Sequence, residues 1–302
     1  MVDEGRLTHC YADLDVRLHY VEAGEGPLVI LLHGFPDFWY SWRYQIPALV
    51  GAGYRVVAPD MRGYNLSDKP REVASYRAAA VAADVAGLIH ACGAERAVVV
   101  GHDWGAGVAW QFAMLYSAMV ERLAILNVPH PLRMLRALAT PRQLLKSWYM
   151  FFFQLPWLPE AAIRAGNYLL LRQVLRTDPV RRDAFTSVDI ERYVAAAAQP
   201  GALTGSINYY RALFRQNPQA AISQIRRIDA PVLVIWGEQD RYLGSELAQP
   251  DPRWVPQARV ERLPNASHWV HLDQPEEVNR LLLEFLSAAE LASPTIVRRK
   301  SV

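Results

Sequence analysis

Two kinds of hydrophobic run alternate along the N-terminal part of the chain. Residues 7–11 and 16–21 alternate apolar and polar side chains around the turn-forming Asp13-Leu14-Asp15, the pattern of an antiparallel hairpin. Residues 28–32 and 54–58 are instead short, unbroken apolar runs ended by Gly or Pro, as expected of strands buried on both faces. Between them residues 38–50 have helical spacing, and residues 76–92 read as an Ala-rich helix that stops at Gly93. Further buried strands are predicted at 97–100, 123–126, 232–236 and 259–263. Strands alternating with helices imply a mostly parallel sheet covered on both faces, with a ligand site at the carboxyl ends of the strands.

The alternation stops at Pro129 and returns near Ile228. The stretch between is helix-like and aromatic-rich, with no plausible central strand, and predicts a helical cap. The expected division is a core of residues 1–130 and 218–302 carrying a cap of residues 131–217. Residues 97–120 hold a single charge, Asp103, and resemble a membrane span by hydropathy alone. Gly101, Gly105 and Gly107 interrupt them, so strand, turn and helix is the better reading and no membrane span is expected.

Charge narrows the partners. Lys plus Arg (32) nearly balance Asp plus Glu (30), and a net charge of +2 leaves no electrostatic footprint for nucleic acid. Cys10 and Cys92 have no CxxC or Cys/His spacing, which argues against a zinc site or a disulfide scaffold and fits a reducing cytosol. The acidic start, Met1-Val2-Asp3-Glu4, lacks the order of a secretory signal. Aromatic residues make up 11% of the chain, enough to suggest an apolar pocket as well as a core. The tail from Pro294 to Val302, with Arg298-Arg299-Lys300, reads as a solvated basic end.

The chemical motif is Gly101-His102-Asp103-Trp104-Gly105, directly after a predicted strand and before a helical run. Small residues flanking a central one let the chain turn sharply and push the central side chain into the open, the arrangement of a nucleophile elbow with Asp at its centre. With His33-Gly34-Phe35-Pro36, Asp60-Met61-Arg62-Gly63-Tyr64, Gly237-Glu238-Gln239-Asp240 and Ser267-His268-Trp269, the chain resembles the epoxide hydrolases of the α/β-hydrolase fold over nearly its whole length. That resemblance implies a mostly parallel central sheet flanked by helices with a helical cap insertion. It also implies nucleophile Asp103, acid Asp240 and base His268, in the chain order of the fold.

The choice of Asp has its own logic. A carboxylate attacking a carbonyl would give a high-energy anhydride, whereas at a saturated carbon bearing a leaving group it forms an alkyl ester that water can hydrolyse. His268 would be the base for that water, with Asp240 fixing its tautomer. By resemblance, the backbone N–H groups of Phe35 and Trp104 form the oxyanion hole, and cap tyrosines Tyr149 and Tyr210 protonate the opening epoxide. Tyr209 is adjacent, and the aromatic-Tyr-Arg pattern favours Tyr210. Phe35, Pro36, Trp104, Trp148 and Trp269 are the expected substrate-binding residues. No metal and no cofactor are implied; the expected partners are a small hydrophobic epoxide and water, and a homodimer is compatible with the sequence.

Rival readings stand beside these. Glu238 is the competing acid. His33 and His102 read as structural, and His9, His19, His90, His130 and His271 as surface histidines. A hydrolytic dehalogenase would use the same Asp103, with Trp104 as one halide donor, but its usual second donor position is occupied here by Phe35, whose side chain cannot donate. A non-catalytic ligand-binding homologue is the remaining alternative.

Overall fold

Among the described residues, eight strands form one sheet: β1 Thr8–Asp13, β2 Arg17–Ala23, β3 Leu28–Leu32, β4 Arg55–Pro59, β5 Ala97–His102, β6 Val120–Leu126, β7 Val232–Gly237 and β8 Ala258–Leu263. Their order is β1-β2-β4-β3-β5-β6-β7-β8, antiparallel from β1 through β2 to β4 and parallel elsewhere. The computed structural model describes residues 2–287, so the basic tail lies outside the described residues.

The unbroken apolar runs follow from burial on both faces. Along β3 and β5, Val29, Leu31, Val98 and Val100 enter one core while Ile30, Leu32 and Val99 enter the other. Each such side chain contributes about 1.5–3 kcal/mol relative to exposure. Helices α2 Ala78–Ala91 and α3 Trp104–Leu115 contribute to the second core, and α11 Val270–Asp273 and α12 Pro275–Ser287 to the first. Helix α2 ends before Gly93, whose φ of +73° a side chain would resist. The single helix expected over 38–50 is in fact a 3-10 turn, Trp39–Trp42, followed by α1 Gln45–Gly51. Pro47 explains the division, because a residue without an N–H is tolerated only in a helix's first turn.

Register brings the motifs together. Leu32 pairs with Gly101, so the segments leaving β3 and β5 emerge side by side. Gly237 at the end of β7 pairs with Leu263 at the end of β8. Between β6 and β7 the chain runs through α4 Pro131–Ala137, α5 Pro141–Lys146, α6 Trp148–Phe152, α7 Leu158–Thr177, α8 Ser187–Ala198, α9 Ala202–Phe214 and α10 Pro218–Ser223. Helix α7 is interrupted at Ala165, where Gly166, Asn167 and Tyr168 take positive φ.

Candidate active site

Asp103 sits between β5 and α3 with φ +50° and ψ −124°, a conformation that side chains rarely adopt. The turn requires its glycines: a Cβ on Gly101 would lie 2.5 Å from the Gly105 carbonyl oxygen, and one on Gly105 would lie 2.2 Å from that of Leu32. The Phe35 N–H donates to Asp103 Oδ1 at 2.6 Å, and the first N–H of α3 belongs to Trp104. His268 Nε2 lies 3.4 Å from Asp103 Oδ2. Its Nδ1 is 2.7 Å from Asp240 Oδ2. Asp240 also accepts from the Asn127 side-chain amide at 2.8 Å and from the N–H groups of Tyr242 and Leu243 at 2.7 and 2.9 Å.

These contacts set the charges. Burial works against ionised Asp103 and Asp240, but His268 and the surrounding donors outweigh it and hold both carboxyls below their ordinary values. Burial likewise disfavours protonated His268, yet Asp240 and Asp103 together push it up to about 10. These contacts favour the charged forms, two carboxylates and an imidazolium, in the free site.

Asp103, Trp104, Tyr149 and Tyr210 share the wall of one cavity of about 360 Å³, otherwise largely apolar, with Met134, Leu138 and Phe214 among its lining. Burial first, and the Asp103 carboxylate second, raise both phenols well above their ordinary value, so both remain O–H donors. Tyr209 is turned away, its hydroxyl donating to the Arg62 carbonyl at 2.9 Å. Glu238 is exposed, whereas Asp240 is buried against His268.

Several expected residues stand elsewhere. Trp148 is 65% exposed and not on the cavity wall, because the short helix α6 turns Tyr149 inward and Trp148 outward. Trp269 is fully buried instead, its N–H donating to Asp37 Oδ1 at 3.3 Å and its ring set against His268. Phe35 and Pro36 do not line the cavity either; the Phe35 ring packs edge-on against Phe153 and Tyr210. His33 accepts from the Met61 N–H, and His102 Nε2 lies 2.9 Å from the His268 carbonyl oxygen, both structural roles. His19, His130 and His271 are buried rather than on the surface: His19 pairs with Asp60, His130 packs on Trp110 and His271 lies between Trp42 and His102. Asn127 was not anticipated. At φ +54°, just past β6, it links Asp240 to the Gly237 N–H, a role set by the neighbouring strand ends and without any local motif.

Comparison with known proteins agrees with this architecture. A family model for the α/β hydrolase fold matches residues 27–275. An α/β-hydrolase superfamily protein of Bacillus subtilis, YfhM, is 45% identical over 274 residues, covering 90% of this chain and 94% of that protein. Human epoxide hydrolase 4 is 39% identical, covering 92% of this chain and 79% of its own length. Among solved structures, the Bacillus megaterium epoxide hydrolase in complex with an inhibitor superposes with a TM-score of 0.84 at 33% identity, covering 92% of this chain and all of that one.

Proposed function

This chain belongs to the α/β-hydrolase fold family and within it to the epoxide hydrolases, and on that premise we propose that it converts an apolar epoxide to a vicinal diol through an ester on Asp103. The observation that carries the reading is the shared cavity: a carboxylate tied to a His–Asp pair and two protonated phenols line one apolar chamber.

Asp103 Oδ1 is occupied by the Phe35 N–H, which leaves Oδ2 as the attacking atom. Oδ2 forms a bond to a ring carbon, the carbon–oxygen bond of the epoxide breaks, and the departing alkoxide takes a proton from Tyr149 or Tyr210. Oδ1 becomes the ester carbonyl, already bonded to the Phe35 N–H, which with the Trp104 N–H would stabilise it when water adds. Water attacks the Asp103 carboxyl carbon as His268 takes one of its protons; the bond from that carbon to Oδ2 breaks, the departing alkoxide takes the proton left on the added oxygen, and the diol leaves with Asp103 restored as a carboxylate. In this reading residues 131–217 are the cap that excludes bulk water from the carboxylate. The unpaired Cys10 and Cys92 support a reducing cytosol as its location.

A single turnover in heavy-oxygen water tests the covalent route, because the label must enter the Asp103 side chain and not the diol. Label found only in the diol would defeat it. Replacing Tyr149 and Tyr210 together with Phe should lower alkylation by at least about 10³-fold, each proton donor supplying on the order of 10²–10⁴. Tyr209→Phe should leave it unchanged. A dehalogenase reading draws on Trp104, whose side chain lies on the cavity wall with Asp103 and interacts with the Tyr210 hydroxyl. Halide release from haloalkanes without epoxide turnover would favour it.

A further inference from the structure

The helical segment turns a long run of apolar side chains outward. Leu145, Trp148, Phe151 and Leu155 recur every three or four residues along α5, α6 and the turn that follows, and are 75%, 65%, 44% and 44% exposed. Trp157 follows at 73%, with a left-handed φ of +51°. Scattered exposed apolar residues are ordinary, whereas a stripe of them marks an interaction surface.

The stripe joins two other features. At Phe151 it meets Phe214, ring centroids 5.1 Å apart, and Phe214 with Leu213 belongs to the wall of the Asp103 cavity. At Trp157 it borders an open groove of about 710 Å³ whose wall carries Arg71, Arg164 and Arg215. These three guanidiniums are exposed and, among the described residues, have no carboxylate partner. The carboxylate on the groove wall, Glu160, is held by Arg211 at 2.8 Å.

We propose that this face docks on an anionic phospholipid bilayer, with the Trp148, Phe151 and Trp157 rings at headgroup depth and Arg71, Arg164 and Arg215 against lipid phosphates. Charge decides the occupant. A second copy related by a two-fold axis through this face would set one arginine triad against another, whereas an anionic leaflet neutralises all three. Tryptophan beside unpaired arginine is also the composition of membrane interfaces. The contact lies on the surface, since no helix among the described residues is long and apolar enough to cross a membrane. It would bring the Leu213–Phe214 side of the cavity to the lipid, where apolar substrates concentrate. That consequence rests on the epoxide reading; the docking does not.

Co-sedimentation of the full chain with vesicles tests the proposal. Binding to phosphatidylcholine vesicles containing roughly 30% phosphatidylglycerol should exceed binding to pure phosphatidylcholine and weaken with salt. Changing Arg71, Arg164 and Arg215 together to Gln should weaken it about a hundredfold, at roughly a factor of five per arginine. Trp148→Ser with Trp157→Asn should weaken it to both kinds of vesicle, Asn being tolerant of a left-handed backbone. Unchanged thermal midpoints show that the variants are folded. Equal binding of the wild type to both vesicles, wild-type binding by the arginine variant, or light scattering that shows dimers dissolved by the tryptophan changes would each overturn the proposal. Vesicle binding without turnover of any epoxide would leave the docking standing and remove the functional reading.

Discussion

Replacing Gly34 with alanine tests the geometry of the proposed nucleophile while leaving Asp103, Asp240 and His268 unsubstituted. A Cβ built there lies 2.3 Å from Asp103 Oδ1, 2.4 Å from Asp103 Cβ and 2.6 Å from the Trp104 nitrogen. Real Cβ contacts hardly ever fall below 3.0 Å, so the carboxylate and the new methyl must separate by about 0.7 Å more than the backbone allows. Two of the three obstructing atoms belong to the base of the elbow, which leaves rotation of the carboxylate alone insufficient. The shift opens the 2.6 Å bond from the Phe35 N–H. A misplacement near an ångström costs on the order of 10²-fold in rate, and a lost bond to a charged group about 1.5–3 kcal/mol, two overlapping descriptions of one event. Alkylation should therefore fall by about 10–10²-fold. Overpacking should lower stability by about 1–3 kcal/mol, a few degrees in melting temperature for a chain of this size. The assay is rapid-quench measurement of ester formation on a single turnover, with thermal denaturation alongside. Gly51→Ala is the control, because nothing lies within 4 Å of its Cβ. A folded Gly34→Ala enzyme that alkylated within about threefold of the wild type would refute the account of how Asp103 is positioned.

His268→Gln should form the ester and then stall, giving about one equivalent of diol precursor and a protein mass increased by that of the substrate; continued turnover would remove His268 from the second step. Asn127→Ala leaves a buried Asp240 oxygen short of one donor and the Gly237 N–H without a partner, which should cost about 2–4 kcal/mol in urea unfolding and slow ester decay more than ester formation. Stability should depend on pH with opposite signs at the two ends. His268 is raised from 6.5 to about 10, so its contribution is full below pH 6.5 and is lost as pH rises towards 10. Asp103 and Asp240 are lowered from 3.8, so theirs is present above pH 3.8 and is lost as pH falls further. A urea midpoint that increased from pH 7 to 10 would contradict the first of these assignments.

The sheet was legible because its information is local. Unbroken apolar runs such as 28–32 and 97–100 report burial on both faces without reference to the rest of the chain, and the glycines of the elbow mark the one place where a side chain cannot fit. Strand ends were less visible: β6 begins at Val120, before the polar Glu121 and Arg122 that obscured it. Asp103, Asp240 and His268 lie just past the ends of β5, β7 and β8, which is why order along the chain pointed to those positions. Asn127 gave no signal, since its function arises only where β6, β7 and the His268 loop meet. The direction of a ring was equally hidden. Trp148 and Tyr149 are neighbours in sequence, but one faces solvent and the other the cavity, and composition carries no information on which. The buried histidines failed for a related reason: His19 and His271 sit inside because partners distant in the chain, Asp60 and Trp42, enclose them.

The raised His268 value poses a question for the proposed cycle, because a base must be neutral to take a proton from water. Ester formation answers part of it. Asp103 is neutral once alkylated, which removes one of the two carboxylates that hold the proton on His268 and lowers its affinity. Ring opening answers the rest, since the tyrosine that protonates the alkoxide becomes a phenolate whose conjugate acid is raised far above its ordinary value by burial. Burial raises that phenol while alkylation lowers His268, so both changes favour transfer of the His268 proton to the phenolate. The transfer restores the phenol and produces the neutral base that the second step needs, with no proton taken from bulk solvent. Alkylation in weak buffer at pH 8, followed with an indicator dye on a single turnover, should therefore show no net proton uptake. Uptake of one proton per ester formed would mean that solvent, and not His268, resets the tyrosine.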